Sequence, residues 1–344
     1  MSTEDERRAE EILREVEKPT IETKDVPLRA PGQESLAALS RVNEKAWEKT
    51  GMPRLYVRAS QPVRIRRNEK DELIIEDMGV DKIIYELTHA ADYVATSAKS
   101  EPRMVFPPRD VARYVLSALG WSFPHLNAIT TFPVFRPDGT VVLEEGYDSA
   151  TSLIYAPERG FKVSVPERPK KPDVVAAKEL IAEVMGDFPY VDQASLANTF
   201  ALAMTPVLRE LIDGPIPMAA VDKPTPGTGA SLLVDSLALA TSGRYPGALG
   251  AVEDDNEMRK AITSALRNPE AWLFLDNINV ELKSAALARA LTAEVWEDRI
   301  LGVSKTLRAP VRNVWVATGN NLELSLEIAR RSYWIRMDAR LEKP

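Results

Sequence analysis

The 344-residue chain carries 51 acidic and 44 basic side chains, a net charge of −7, and a hydrophobic content of 44%, enough for one large or two ordinary domains with their own cores. The absence of cysteine excludes disulfides, thiolate zinc sites and cysteine nucleophiles, and two histidines, His89 and His125, are too few for a histidine-based metal site. Apolar runs such as 216–221 are far shorter than the ~20 residues that cross a bilayer, and the acidic N-terminus MSTEDERRAEEILREVE has no apolar signal region, so a soluble, cytoplasmic chain with no membrane partner is expected.

Residues 2–18 read as a charged amphipathic helix with Ile12, Leu13 and Val16 as its apolar stripe, and a linker holding Pro19, Pro27 and Pro31 runs on to residue 33. A small α+β region is expected over 34–169. Within it the alternation in LYVRA, VRIRR and LIIED predicts short strands, and KIIYELTHAADYVATSA predicts a helix carrying His89 as a packing or surface residue. Arg54, Arg58, Arg64, Arg66 and Arg67 fall in one stretch with no acid between them; a solvated strand face and a DNA contact fit it equally. The net negative charge does not exclude such a local basic track. Pro107 and Pro108 precede the helix RDVARYVLSALG, since the missing proline N–H is unused at a helix entrance. FPVFRPDGTVVLEEGYDSATSLIYAP then predicts a meander with Asp138-Gly139 as a tight turn. The proline- and lysine-rich VPERPKKP marks a boundary. Two connecting helices over 170–215 follow, the first with Val175, Leu180, Ile181 and Val184 as a core-facing stripe.

From residue 216 to the end the pattern is strand, glycine loop, helix, strand, helix, strand, helix, strand, the order of an α/β sheet with helices on its faces. The strand IPMAAV runs into DKPTPGTGAS, where a glycine turn opens a helix at Ser231. Successive backbone N–H groups in such a turn form an anion nest, and the helix N-terminus adds partial positive charge. Pro226, Gly227, Thr228, Gly229, Ala230, Ser231 and Leu232 are therefore the candidate phosphate cradle, with the Ser231 hydroxyl placed to ligate Mg²⁺. The loop departs from G-x-x-x-x-G-K-[ST] at Pro224, in place of the first glycine, and at Ala230, in place of the lysine. WLFLDN ends in Asp276, the expected second Mg²⁺ ligand, followed by Asn277, which cannot act as a general base. VWVATGNN ends in Asn320, an amide placed to position water. Arg330 and Arg331 precede a further strand, where a ring ATPase directs an arginine at its neighbour's nucleotide.

These stretches, PGTGASLL, EMRKAITSAL, WLFLDNI, LTAEVWEDRILGVSK, VWVATGNN and ARRSYWIRMDARLEKP, resemble AAA+ ATPases of the superfamily 3 helicase type, in particular the helicase part of primase-helicases of phages, plasmids and integrative elements. The likeness spans about 50–344. It implies a P-loop AAA+ sheet with flanking helices over 216–344, preceded by the smaller α+β domain, and a hexameric ring that uses ATP and Mg²⁺ to move along single-stranded or forked DNA. It also implies a pore hairpin between the Asp276 and Asn320 strands, with Lys305 at its tip and Arg299 or Arg308 in support. For Arg299 an internal ion pair is the competing reading. Members of this type continue past the last strand, so a shortened C-terminus is expected.

The two departures leave several outcomes open. Lys223 or a neighbouring subunit's arginine replaces the missing cation, Ala230 is a replacement that traps a complex, or the ring binds nucleotide without turning it over.

Overall fold

A computed structural model describes residues 18–23, 29–69, 71–97, 100–118, 120–166, 168–250, 254–267, 270–300 and 306–340. Their contacts divide the chain between Asn127 and Ala128 into two compact units, so the expected boundary at 169/170 falls inside the second. The helix expected over 2–18 lies, up to residue 17, outside the described residues.

The first unit runs β1 (Thr20–Glu22), α1 (Arg29–Thr50), β2 (Leu55–Arg58), β3 (Gln61–Arg67), β4 (Leu73–Asp77), α2 (Val80–Ala90), β5 (Asp92–Ser97), β6 (Ser100–Val105) and α3 (Arg109–Leu116). Strands β2, β3 and β4 form an antiparallel sheet, and β5 lies between β1 and β6 in a second. Ile21, Leu39, Val42, Leu55, Ile83, Leu87, Tyr93 and Val111 build the core, each aliphatic side chain contributing about 1.5–3 kcal/mol over its exposed state. Helix α1 starts five residues before the expected region and takes Pro31 and Gly32 out of the linker. Gly32 is needed there because a Cβ would sit 2.2 Å from the Tyr114 ring.

Two expectations change in this unit. The helix predicted through residue 98 stops at Ala90, and DYVATS is strand β5, registered between β1 and β6. Its β-branched and aromatic residues fit a pleated surface, and Tyr93 is buried in the core. The basic stretch is matched internally. Arg54 and Arg64 each lie 3.1 Å from Glu86, Arg64 lies 2.6 Å and Arg66 3.1 Å from Glu76, and Arg67 lies 3.5 Å from Asp71. Arg58 is buried, its Nε donating to the Asn127 carbonyl. The carboxylates come from β4, from the following helix α2 and from Asp71 in the β3–β4 turn.

The second unit runs β7 (Ala128–Thr130), β8 (Gly146–Asp148), β9 (Leu153–Tyr155), α4 (Lys171–Met185), α5 (Gln193–Leu208), β10 (Met218–Lys223), α6 (Ala230–Ser242), β11 (Gly247–Leu249), α7 (Asp255–Arg267), β12 (Trp272–Ile278), α8 (Ala285–Ala290), β13 (Val295–Arg299), β14 (Thr306–Pro310), β15 (Val314–Asn320), α9 (Leu326–Ala329) and β16 (Ser332–Arg336). Five of these strands form a wholly parallel sheet in the order β11-β12-β15-β10-β16. The protein is thus of mixed α/β class. Such a sheet is buried on both faces, which is why MAAV, WLFL and VWVA read as continuous apolar runs. On one face α4, α5 and α6 bring Met185, Leu202, Leu233 and Leu237 against Val221, Phe274, Val316 and Ile335. Helices α7, α8 and α9 pack in succession and contribute nothing to that cluster.

Helix α4 departs from expectation. Val174, Val175, Leu180 and Val184 are exposed, Ile181 is partly buried, and the helix anchors through Met185 at its last turn. Periodicity marked an apolar stripe but not what covers it. Among the described residues no helix is long and apolar enough to cross a membrane.

Burial alone would raise the Glu76 carboxyl, but Arg64 and Lys82 outweigh it and hold the group below the usual carboxylate range. A carboxylate depressed in this way adds stability above its unfolded value near 4.5, and that stability is lost as pH falls through the folded value. The first unit should lose amide-exchange protection across residues 55–90 as pH drops below about 4.5. The variant Glu76→Gln should show a flatter acid dependence; an unchanged pH profile would refute the assignment.

Candidate functional site

Parallel strands place registered residues on the same face, and alternate residues along one strand share a face. In β10, Ala219 and Val221 pack towards α6, so Lys223 ends on that face. In β12, Trp272 and Phe274 do the same and lead to Asp276. In β15, Val314 and Val316 lead to Thr318 and Asn320. Lys223 and Asn320 are register partners on the adjacent strands β10 and β15. The carboxyl ends of three strands thus present Lys223, Asp276, Thr318 and Asn320 beside the first turn of α6.

The connections explain why a site forms here. The chain leaves β10 through α6 towards the edge strand β11, whereas it leaves β15 through α9 towards β16 on the other side. Loops diverging in opposite directions from adjacent strands open a crevice above the sheet, the usual ligand position in open α/β sheets. The crevice lies between Lys223 and Asn320.

The glycine loop forms one wall. Gly227 and Gly229 have φ of 85° and 93°, the left-handed region that side-chain-bearing residues avoid, and Gly229 is the N-cap of α6. Thr228 is buried and its hydroxyl donates to the Thr225 carbonyl at 2.8 Å, bracing the turn from inside. Pro226 and Gly227 are exposed. The start of the loop is tied to β15: Asn321 N–H donates to the Lys223 carbonyl at 2.9 Å and its Nδ2 to that of Pro224 at 3.4 Å. Asp222 Oδ1 accepts from Leu322 N–H at 2.8 Å.

Across from the loop stands Asp276. Ser231 Oγ and Thr318 Oγ1 each donate to its Oδ1 at 2.7 Å. Thr318 Oγ1 also accepts from the Asn277 N–H at 3.0 Å. The β12–β15 register shifts between Leu275 and Ile278, and Asn277 takes a φ of 54°, so a bulge aims Asp276 at α6 and leaves Asn277 exposed. One turn along α6, Asp235 has its carboxyl raised by burial and by the nearby Asp276 charge. Asn320 Oδ1 is buried without a hydrogen-bond partner.

The structure brings Ser231, Asp276, Asn277 and Asn320 together around the loop. Ala230 is different. It is fully buried in one cluster with Val221, Leu233 and Leu237, so its methyl belongs to the core. Leu232 is exposed on the flank of α6. Arg330 and Arg331 stand at the opposite end of the sheet, since the residue after Arg331 registers with Met218 at the start of β10. That is roughly 16 Å along the strand from the loop, too far to serve this chain's own site. Arg330 is exposed, whereas Arg331 is tied to the Glu327 carbonyl. Strands β13 and β14 pair antiparallel as a hairpin with Arg299 and Arg308 exposed, and Arg308 lies across from Glu297. Among the described residues Arg299 makes no ion pair; its neighbour Asp298 pairs with Arg259 at 2.7 Å. Lys305 lies outside the described residues.

Three contributors were not singled out from sequence: Thr318, Asp235 and Asp222. Thr318 sits two residues before Asn320, hence on its face of the strand, and Asp235 sits four after Ser231, hence one turn along. Those spacings were readable once Asn320 and Ser231 were chosen. Among the described residues no group of three or more His, Asp or Glu could hold a metal ion. Ser231 and Asp276 alone suit Mg²⁺, which uses one or two protein oxygens and fills its remaining positions with water and phosphate.

No family model matches the chain, and no curated protein matches it. Among solved structures it is similar to the apo A form of the NrS-1 C-terminal region, residues 305–718, with 15% identity and a TM-score of 0.40, over 89% of this chain and 62% of that one. The chain thus spans less than two thirds of that structure's length.

Proposed function

We propose that the second unit binds a magnesium nucleoside triphosphate between the 224–231 loop and Asp276, and that the protein is an ATP-dependent, ring-forming DNA helicase or translocase of mobile-element replication. The observation that carries this reading is the 2.7 Å contact of Ser231 Oγ with Asp276 Oδ1 at the mouth of the crevice. A helix-entrance hydroxyl and a strand-end carboxylate converge there beside a two-glycine turn, which is the donor and acceptor set a metal-bound polyphosphate requires. Bound Mg²⁺ would neutralise phosphate charge.

The chain's own groups divide the work. Backbone N–H groups of 227–231 bind phosphate oxygens, Ser231 and Asp276 face the metal, and Asn320 holds a water near the terminal phosphate. Thr318 fixes Asp276 and the Asn277 backbone. Arg330 reaches a nucleotide only in a neighbouring copy, so its use requires a ring. The β13–β14 hairpin offers Arg299 and Arg308 to DNA phosphates without reading bases.

A second reading, a nucleotide-binding assembly ring without turnover, is favoured by two side chains. Asn277 cannot accept a proton from water, and Ala230 places a buried methyl where an ammonium usually stands.

Titration with a fluorescent ATP analogue and Mg²⁺ should saturate, and Ser231→Ala and Asp276→Asn should each weaken binding about ten-fold, the equivalent of about 1.4 kcal/mol. A wild-type protein that gives no saturation up to millimolar nucleotide would sink the nucleotide reading. Phosphate release stimulated by single-stranded DNA is expected of a motor; nucleotide binding without release would assign the assembly ring instead. Sedimentation showing only monomer with nucleotide and DNA present would remove the role of Arg330. The raised Asp235 carboxyl contributes stability below its unfolded value near 3.8, and that contribution is lost as pH rises through the folded value. Asp235→Asn should therefore raise the melting midpoint of the nucleotide-free protein at pH 7, and the difference from wild type should vanish in acid. An equal midpoint at pH 7 would contradict this electrostatic account.

A further inference from the structure

Ala230 leaves open which group meets the charge of the outer phosphates. We propose that Lys223, the last residue of β10, supplies the ammonium for the β- and γ-phosphates from the strand side of the loop. The inference rests on the nucleotide site proposed above and names the cation of that site.

Four observations support it. Lys223 is 7% exposed, yet its side chain has no hydrogen bond or ion pair among the described residues. The stem is packed while the ammonium keeps solvent access, so the charge is available to a ligand without an ion pair being broken first. Second, the two nearby carboxylates are committed elsewhere: Asp222 accepts from Leu322 N–H, and Asp276 is held by Ser231 and Thr318. Third, Lys223 shares the face of Val221, which packs in one cluster with Ala230, so its side chain emerges on the side of the sheet where a residue-230 lysine would stand. Fourth, its register partner Asn320 carries a buried Oδ1 with no donor. A lysine without an acid and an amide oxygen without a donor thus end adjacent strands where the glycine loop begins.

The geometry accounts for Ala230 as well. With the cation on the strand, position 230 is free to close the core, and a methyl packed against Leu233 and Leu237 keeps the first turn of α6 fixed. The charge changes its point of attachment from helix to strand while the phosphate stays where the glycine turn holds it. If the solvent-reaching amine meets no phosphate, its loss leaves nucleotide affinity unchanged.

The experiment compares the full-length wild type with Lys223→Met, which keeps the stem and removes the charge, and with Ser231→Ala. Binding of a fluorescent ATP analogue with Mg²⁺ and the melting midpoint without nucleotide are measured for each. Lys223→Met is expected to weaken ATP binding at least ten-fold while its nucleotide-free midpoint stays at or above that of wild type, because the ammonium makes no hydrogen bond or ion pair among the described residues. Unchanged ATP affinity in Lys223→Met, with Ser231→Ala weakened, overturns the role of Lys223 and leaves the nucleotide site standing. A Lys223→Met protein that melts lower or fails to fold identifies a structural partner for the ammonium and also overturns it. Absence of nucleotide binding by the wild type itself removes the site, and this proposal with it.

Discussion

The second unit is organised around the hydrogen bond between Ser231 and Asp276, which joins the first turn of α6 to the carboxyl end of β12. It fixes where the glycine loop stands relative to the strand ends, and Thr318 completes it by holding the same carboxylate oxygen from β15. Three separate elements therefore converge on one oxygen. The interaction is exposed at the mouth of the crevice and contributes modestly to stability, about 0.5–1.5 kcal/mol for an ordinary hydrogen bond and somewhat more with a charged acceptor. Its consequence is positional. A hydroxyl and a carboxylate held 2.7 Å apart leave little to rearrange when a cation comes between them.

Around that contact the site carries an excess of unmatched polarity. Asp235 and Asp276 repel, Asn320 Oδ1 lacks a donor, and Lys223 lacks an acid. The first two are local costs, and the lysine ends β10 beside the amide that ends β15. The metal–polyphosphate proposed for the site would set its positive ion towards the acids and its negative oxygens towards the lysine. In the first unit, by contrast, Arg54, Arg64 and Arg66 are paired with Glu76 and Glu86.

Much of the parallel sheet was legible because buried strands flanked by helices leave continuous apolar runs, and WLFLDN and VWVATGNN end in the polar residues that reach the site. The glycine turn was legible because Gly227 and Gly229 adopt positive φ, which few other residues tolerate. Less legible was the passage from α2 into β5, where a helical period runs without punctuation into DYVATS and only pairing with β1 and β6 ends it. The stripe of α4 was misassigned for a related reason. A 3.6-residue period identifies an apolar face, but whether anything covers that face depends on how the helix is hung, and α4 packs on the core through Met185 and, in part, Ile181.

What the sequence alone determined is local: residue periods, the φ freedom at two glycines, the order of strands and turns along the chain, and the chemical types at Ser231, Asp276 and Asn320. What tertiary structure decided is which of those residues meet. The partners of Asp276 lie 45 and 42 residues away, and Lys223 meets Asn320 because β15 inserts beside β10 when the chain crosses over. The direction of that crossover is set by how helices pack on the two faces, and a one-dimensional pattern does not record it. The arginines of the first unit found their acids in the same way, through the pairing of β3 with β4 and the packing of α2.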